Sequence, residues 1–274
     1  MNIVALLTGR GNNTLKDKNI LNVLGSPLLS YPCRAAQKVK SITHYYASSD
    51  DDKILAAAAQ EGYKKIIRPK NISAPDSQHI DAILHAVNFM EEQGVFPDIL
   101  VVLLANSVTV QSEWIEQSIN HIIEDPSITS SVPAYKEQGH HPFRAKRVNQ
   151  NGLLEPFFDF KNKEISTNRQ DLEDCYFLCH NFWTLNVKSS LRVWQNTFSV
   201  FGQPPWKFLG DKIKYIPVQK GFDVHSLEDI KASEEWIIEN KIREEVRKQI
   251  VEFSHENCPA QKRWLGTDKE DTDY

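Results

Sequence analysis

The chain has 274 residues, with 32 basic and 36 acidic side chains and a formal charge of −4. Hydrophobic residues make up 41% of it, which excludes an intrinsically disordered protein and predicts a sizeable core. The near balance of charge argues against a protein that binds nucleic acid through a general basic surface. The length suits one large α/β domain or two small ones.

No apolar run in the sequence approaches the ~18 residues of a membrane span, and the N-terminus lacks the pattern of a signal peptide. Four scattered cysteines are too few for a disulfide scaffold. We therefore expect a cytoplasmic protein without a membrane partner, in which the cysteines are thiols.

The first 135 residues alternate between strand and helix patterns, with strands predicted at 3–7, 42–47, 63–67 and 99–104. The run 99–104 is apolar without alternation, which is typical of a strand buried on both faces. Ser26-Pro27 predicts the start of a helix that Pro32 should kink or restart, and Ser49-Asp50-Asp51 predicts the start of a second helix. This order predicts an α/β fold with three layers, in which a mostly parallel sheet carries helices on both faces.

The pattern changes after this region. Residues 139–175 are polar, aromatic and turn-rich, and Asn151-Gly152 is a hairpin signal, so we predict a small β-rich flap inserted in a domain of residues 1–255. Strands are predicted again at 176–183 and 213–218. Ser226 predicts the start of a long helix, and residues 256–274 are expected to form a flexible tail.

Two glycines follow the first strand in the pattern Gly9-x-Gly11, beside the basic residues Arg10, Lys16 and Lys18. Glycines let backbone N–H groups approach a phosphate, and the charges suit a triphosphate. Alone, the pattern also fits an ordinary tight turn. A dinucleotide-binding oxidoreductase is a further alternative, with Asp50 on the ribose, although its third glycine is missing.

Several segments together carry a more specific signal than any one of them. They are Gly9-Arg10-Gly11-Asn12-Asn13-Thr14 with Lys18-Asn19, Ser48-Ser49-Asp50, Arg68-Pro69 with Ala74-Pro75-Asp76-Ser77, His140-His141-Pro142, residues 152–158, Arg169-Gln170, and residues 221–229. In this order and spacing the chain resembles the CMP-sugar cytidylyltransferases over roughly residues 1–236. The resemblance is to CMP-N-acylneuraminate (sialic acid) synthetases and their relatives for legionaminic and pseudaminic acids.

The resemblance implies a nucleotidyltransferase fold, related to the Rossmann type, and an enzyme that couples CTP to a 2-keto-3-deoxy sugar acid. The products would be a CMP-sugar and pyrophosphate. It also implies a homodimer in which the flap reaches toward the partner. A nucleotide-binding homologue without transferase activity stays open as an alternative.

The resemblance further implies roles for individual residues. Its catalytic residues would be Arg10, Lys18 and Asp223. Its nucleotide-binding residues would be Thr8, Gly9, Gly11, Asn12, Asn19, Arg68, Asp76 and Ser77. The sugar acid would contact Asn106, Arg144, Arg169 and Gln170. Magnesium, with manganese as an alternative, would be held at Asp223 and His225.

The chain departs from the family pattern at three places. His225 stands where the family has the second aspartate of a pair, and Ala105 replaces a glutamine. Residues 179–181 read Cys-His-Asn where the family tends to carry Asn-Gly-Ala. Together these changes indicate an altered acceptor sugar, and they also motivate the alternative without catalysis.

Overall fold

A computed structural model describes residues 1–11, 13–161, 164–197 and 205–241. Three expectations from the sequence therefore lie outside the described residues. They are the role of Asn12, the continuation of the last helix beyond residue 241, and the flexible tail at 256–274.

Within the first 135 residues the described chain alternates strands and helices as predicted, apart from two short strands that follow one another. The strands are β1 (Ile3–Thr8), β2 (Asn22–Val23), β3 (Ser26–Pro27), β4 (His44–Ser49), β5 (Lys64–Ile67), β6 (Ile99–Leu104), β7 (Ser130–Lys136), β8 (Lys146–Val148), β9 (Leu154–Pro156), β10 (Tyr176–Leu178), β11 (Phe182–Asn186) and β12 (Ile213–Pro217). The helices are α1 (Ser30–Gln37), α2 (Asp52–Gln60), α3 (His79–Glu92), α4 (Ser112–Glu124), α5 (Leu191–Thr197) and α6 (227–241).

One mixed sheet organises these elements. Its strand order is β10-β7-β11-β6-β1-β4-β5, with β12 paired in parallel to β7. Strands β4, β1 and β6 run parallel, whereas β11 is antiparallel to both β6 and β7. The chain moves from β1 outward to β4 and β5 and then returns to β6 on the other side of β1. That reversal opens a crevice at the carboxyl ends of β1 and β6, where α/β sheets usually bind ligands.

The core is divided by the sheet, because every residue of β1 and β6 is buried. Alternate side chains of these strands pack on one side with α1, α2 and α4, and on the other side with α3 and α5. A third apolar cluster lies beside the carboxyl edge and joins α6 to the segments after β1 and β6. Its buried members are Val23, Leu28, Val108, Val224, Ile230 and Ile237.

Two predicted helix starts are supported by side-chain contacts. Asp51 accepts a hydrogen bond from the backbone N–H of Lys53 at 2.8 Å and caps α2. At α6, Ser226 Oγ accepts from the Asp229 N–H at 3.3 Å, and Asp229 Oδ2 accepts from the Ser226 N–H at 2.8 Å. The second pair is a reciprocal cap that fixes where α6 leaves the carboxyl edge.

The predicted helix start at Ser26-Pro27 is wrong. These residues form β3, which pairs with β2 across a turn in which Leu24 and Gly25 both have positive φ. Two such residues make the tight turn of a hairpin. The helix α1 begins at Ser30, so Pro32 lies in its first turn, where its missing N–H leaves no helical hydrogen bond unmade.

The predicted strand 176–183 is two strands. β10 pairs with β7, and β11 pairs with β6 as well as β7. Between them the Cys179 N–H donates to Pro133 O, whereas Asn181 O accepts from Leu104 N–H. The backbone therefore changes partner strand at 179–181, which a run of apolar residues does not reveal.

The described part of residues 139–175 holds one short hairpin, β8 with β9, and two single-turn helices at Pro142–Arg144 and Arg169–Asp171. Gly152 lies in the hairpin loop with a φ of 76°, as the Asn-Gly signal indicates. None of the helices in the described ranges is long and apolar enough to cross a membrane.

We predict that Gly9→Ala destabilises the protein by about 1–3 kcal/mol, because an added Cβ would lie 3.0 Å from Ala105 Cβ and 3.2 Å from Ile54 Cγ2. Urea unfolding measures the change. The double variant Gly9→Ala with Ala105→Gly removes the closest contact and should recover part of the loss. Equal stability of Gly9→Ala and the unaltered protein would contradict the close packing described here.

Candidate functional site

A polar cleft of about 220 Å³ lies at the carboxyl edge of the sheet, at the strand reversal between β1 and β6. It brings together nine residues that the sequence assigned to the site. They are Thr8, Gly9, Arg10, Lys18, Asn19, Arg68, Ser77, Asn106 and Asp223. Asn13, Ile72, Ala74, Gln78, His79, Ala82 and Leu104 complete the lining.

The loop after β1 is fixed by hydrogen bonds to its own residues and to the end of β4. The Gly9 N–H donates to Ser48 O at 3.2 Å, and the Gly11 N–H donates to Asp50 Oδ1 at 3.0 Å. Arg10 O accepts from the Asn13 and Asn19 side-chain amides at 2.6 and 3.1 Å. Asp50 thus supports the loop, and Gly11 is buried behind it rather than lining the cleft.

Lys18 brings a positive charge into a mostly buried position, with only 9% of its surface exposed. Burial lowers the pKa of its ammonium, Asp223 opposes that effect, and Arg10 adds to it. Arg10 crosses the cleft, since its Nη1 donates to Ala74 O at 2.8 Å. By contrast Lys16 is exposed and does not line the cleft, although it lies in the same loop.

Arg68 is the third cation of the lining and is held against the end of β4. Its Nε donates to Ser48 Oγ at 3.2 Å and its Nη2 donates to Ser48 O at 2.8 Å. Burial lowers the pKa of this guanidinium to about 10, which leaves it charged at neutral pH. Arg68 therefore has a fixed orientation and a permanent charge.

Asp223 enters the lining from the segment before α6 and interacts with the charge of Lys18. Asn106 Nδ2 donates to its Oδ1, and His225 Nε2 lies 3.2 Å from its Oδ2. Burial raises the pKa of Asp223, whereas His225 and Lys18 lower it. The Val224 N–H donates to Asn106 O at 3.0 Å, so the ends of β6 and of this segment are tied together.

Magnesium prefers carboxylate, phosphate and water oxygens as ligands. Asp223 is the carboxylate among the lining residues, and no group of three His, Cys, Asp or Glu residues in the described chain could hold a metal. Asp223 fits as a single carboxylate ligand beside phosphate oxygens. His225 does not fit, because imidazole is a poor magnesium ligand and its Nε2 faces Asp223 instead.

The lining includes one titratable residue that the sequence motifs did not identify. His79 opens α3, and its Nε2 lies 2.8 Å from Thr8 Oγ1. Its ring packs edge-on against Trp183, with the ring centroids 4.9 Å apart. The Thr8–His79 contact joins the ends of β1 and α3, which are far apart in sequence, so no local pattern predicts it.

Besides Gly11, five residues assigned to the site lie elsewhere in the structure or at its margin. Asp76 is exposed and not part of the lining, and His225 reaches the site only through Asp223. Arg144, Arg169 and Gln170 are exposed and lie outside the lining. Arg144 Nη1 donates to Gly139 O at 3.5 Å, within residues 139–175.

Ala105 stands where the family pattern has a glutamine, and Asn106 follows it in the sequence. Ala105 is buried under the loop against Gly9, and its N–H donates to Thr8 O at 3.0 Å. Asn106 lines the cleft and contacts Asp223. The polar amide of this segment is thus supplied one residue further along the chain.

Known proteins are similar to this chain in sequence and in fold. The profile of a family described as cytidylyltransferase matches residues 10–173. Two pseudaminic acid cytidylyltransferases of Campylobacter jejuni, from serotypes O:2 and O:23/36, are each 25% identical over 167 residues, which are 61% of this chain and 70% of theirs.

Solved structures show the same fold. A CMP:2-keto-3-deoxy-manno-octonic acid synthetase complexed with CTP matches with a TM-score of 0.65 and 16% identity, over 88% of this chain and 100% of that one. A 4-diphosphocytidyl-2C-methyl-D-erythritol synthase from Anaerococcus prevotii matches with a TM-score of 0.58 and 12% identity, over 86% of this chain and 98% of that one. The predicted nucleotidyltransferase fold, with its mostly parallel sheet and helices on both faces, is confirmed.

We predict that His79 makes the protein less stable in acid. Burial and the charge of Arg68 lower the pKa of His79 to about 4, below the value of about 6.5 in the unfolded chain. The unfolded chain therefore binds an extra proton between these values, and the free energy of unfolding falls as pH drops through this window. From pH 7 to 5 the loss at this group is on the order of 1–2 kcal/mol.

The measurement is urea unfolding at pH 7 and 5 for the unaltered protein and for His79→Phe. Between pH 7 and 5, His79→Phe should lose about 1–2 kcal/mol less stability than the unaltered protein. An identical loss in both proteins would show that His79 titrates normally when folded.

Proposed function

The chain belongs to the cytidylyltransferase family, and from this we propose that it couples CTP to a 2-keto-3-deoxy sugar acid of the nonulosonate class. The products are a CMP-sugar and pyrophosphate. The observation that carries the proposal is the cleft at the strand reversal, whose lining includes the cations Arg10, Lys18 and Arg68 and the carboxylate of Asp223. Such a cation-rich cleft suits a triphosphate substrate.

The reaction is attack by the anomeric hydroxyl of the acid on the α-phosphorus of CTP. Transfers of this kind depend on positioning and on neutralising negative charge that develops on the phosphate oxygens. In our proposal Arg10 and Lys18 hold the triphosphate, and Gly9 of the same loop lies beside it. Because Arg10 and Arg68 are already fixed by hydrogen bonds, little reorganisation is needed when CTP binds.

We propose magnesium as the cofactor, with manganese as a substitute, held by Asp223 together with phosphate oxygens. When bound, the metal adds positive charge at the phosphates and polarises them. Asn106 and His225 orient the Asp223 carboxylate through its two oxygens. His225 therefore acts on the position of Asp223 rather than as a metal ligand.

The sugar acid is proposed to enter from the Asn106 side of the cleft. The pseudaminic acid cytidylyltransferases support an acceptor of the nonulosonate class. Arg144, Arg169 and Gln170 remain proposed partners of its carboxylate, for which arginine is well suited. All three are exposed on residues 139–175, so this role requires that segment, of its own subunit or of a second copy, to meet the cleft.

We also propose that the protein is a homodimer. The rings of Phe143, Phe157, Phe158 and Phe160 form an edge-to-face cluster, in which Phe157 is 53% and Phe158 43% exposed. A contiguous aromatic surface of this kind suits burial against a second chain. The described cysteines are free thiols, in keeping with the cytoplasmic location that we propose.

We predict that Lys18→Ala and Arg10→Ala each lower CTP-dependent pyrophosphate release by at least about a hundredfold, because each removes a charge that faces the triphosphate. The assay uses a panel of 2-keto-3-deoxy sugar acids with magnesium. Lys16→Ala is the matched control, since this lysine of the same loop is exposed outside the cleft and should change the rate less than about threefold.

If the Lys16 and Lys18 variants lower the rate equally, Lys18 does not contact the triphosphate. If no acid in the panel and no nucleoside triphosphate gives pyrophosphate, the transferase proposal fails. Calorimetric binding of CTP in that case would identify the homologue without catalysis.

We predict that Asp223→Asn raises the magnesium concentration needed for half-maximal activity by about tenfold or more, because the carboxylate charge is lost. His225→Asn should leave that concentration nearly unchanged while it lowers the maximal rate, since it only orients Asp223. A magnesium titration of the rate compares the two variants. If the magnesium concentration for half-maximal activity rises more in the His225 variant than in the Asp223 variant, the imidazole is a metal ligand and the assignment is wrong.

A further inference from the structure

A buried polar network joins the segment between β10 and β11 to the segment that carries Asp223. Its side chains are those of Cys179, Asn181 and Thr109, all of which are buried. None of the three lines the cleft or has a role in the chemistry proposed above. Cys179 and Asn181 belong to residues 179–181, which depart from the family pattern. Buried polar groups are costly unless they are hydrogen-bonded, so we examined what these three hold in place.

The orientation of the Asn181 amide follows from its partners. One end faces Thr109 O, a carbonyl oxygen that can only accept, so this end is the Nδ2 group that donates to it. Nδ2 also lies 3.3 Å from Thr109 Oγ1. The other end, Oδ1, accepts from Cys179 Sγ at 2.9 Å. Burial raises the pKa of Cys179 to about 11, so the thiol keeps the hydrogen that this bond requires.

The sheet fixes the position of this network. The Cys179 N–H donates to Pro133 O in β7 at 2.8 Å, and Asn181 O accepts from the Leu104 N–H at the end of β6 at 3.2 Å. Because both residues are tied to strands by their backbones, the Asn181 amide meets Thr109 from a defined direction. Thr109 is therefore held by the sheet through Asn181.

Thr109 in turn contacts the segment that carries Asp223. Its Oγ1 accepts from the Phe222 N–H at 2.8 Å, one residue before Asp223. One residue after Asp223, the Val224 N–H donates to Asn106 O at 3.0 Å. The backbone is thus held on both sides of Asp223, on one side by a backbone oxygen and on the other by the Thr109 hydroxyl.

Gly221 shows how closely this segment approaches the network. An added Cβ would lie 2.6 Å from Thr109 Oγ1 and 2.8 Å from Asn181 Nδ2. It would also lie 3.0 Å from Cys179 Sγ, to which the Gly221 backbone is hydrogen-bonded. A side chain at this position would push the backbone away, so glycine is needed for the contact. The network therefore touches the chain at both residues that precede Asp223.

We propose that Thr109 and Asn181 are positioning residues for Asp223, whose backbone they hold through the Phe222 N–H so that its carboxylate faces the cleft. This inference rests on the proposed function, because it takes Asp223 as the metal ligand. Groups that orient a ligand change metal affinity or rate without touching the metal. The departure from the family pattern at residues 179–181 thereby gains a role in the position of Asp223.

The test compares Thr109→Val, which removes the hydroxyl, with Thr109→Ser, which keeps it. In the full chain without ligand, Thr109→Val should speed exchange of the Phe222 amide hydrogen at least about tenfold, measured by NMR. In the active enzyme it should raise the magnesium concentration for half-maximal pyrophosphate release about tenfold, because the backbone that carries the carboxylate is released. Thr109→Ser should change either quantity less than about twofold.

Asn181→Ala removes the amide that holds Thr109, so both quantities should rise by about threefold or more. The double variant with Thr109→Val should match Thr109→Val alone, since both residues act through the Phe222 hydrogen bond. Thr184→Val is the matched control. It removes a buried hydroxyl in β11 that lies 2.6 Å from Ser118 Oγ, and it should change neither quantity. Thermal unfolding confirms that each variant is folded.

The outcomes separate this inference from the proposed function. If the unaltered protein releases no pyrophosphate, the proposed function fails, whereas faster Phe222 exchange in Thr109→Val still supports the hold on this segment. Normal exchange in Thr109→Val would overturn the inference whatever the activity. Faster exchange with an unchanged magnesium dependence would make the network purely structural and overturn the positioning role. Equal effects of Thr184→Val and Thr109→Val would overturn it as well, because loss of any buried hydroxyl would then suffice.

Discussion

The site depends on one costly arrangement, the burial of the Lys18 ammonium among other cations. Removing a charge from water is unfavourable unless it is paired, and the lining offers three cations but a single carboxylate, Asp223. Asp229 near Lys18 and Asp50 near Arg68 add negative charge outside the lining. Within the cleft itself the cations outnumber the carboxylate, which favours binding of a triphosphate.

The fold makes this arrangement by bringing the ends of unrelated segments to one edge. Thr8 ends β1, Ser48 lies in β4, and Asn106 follows β6, and each holds a different group of the site. Close packing of Gly9 on Ala105 brings the loop down onto this edge. Few of the contacts join neighbours in sequence, so their geometry depends on the sheet rather than on local preferences.

This dependence explains how far the sequence could predict the structure. Strand β6 was predictable because its run of six apolar residues is unmistakable, and Asp51 because a cap acts on residues next to it. The loop and its basic residues were recognisable as a motif. Charge alone could not separate Lys18 from Lys16, whereas the resemblance selected Lys18, and the fold buries Lys18 and exposes Lys16.

The other contacts of the site could not be predicted from local sequence patterns, because they also join residues that are far apart in the sequence. His79 enters the site through its contact with Thr8, which lies 71 positions earlier, and no sequence motif connects the two residues. Arg169 and Gln170 match a motif, yet their distance from the cleft depends on how residues 139–175 are arranged. The hairpin of β2 and β3 was not predicted because Ser-Pro is typical of helix starts. In the structure the adjacent turn at Leu24-Gly25 pairs these residues in a hairpin instead.

The third apolar cluster has a consequence for how the protein responds to its ligand. Leu15 of the loop packs on the same cluster as Ile230 and Ile237 of α6, and Val224 joins that cluster directly after Asp223. Loop and helix therefore form one cooperative unit, in which opening of either exposes the other. A nucleotide that orders the loop would slow amide exchange along α6, even though no residue of that helix lines the cleft.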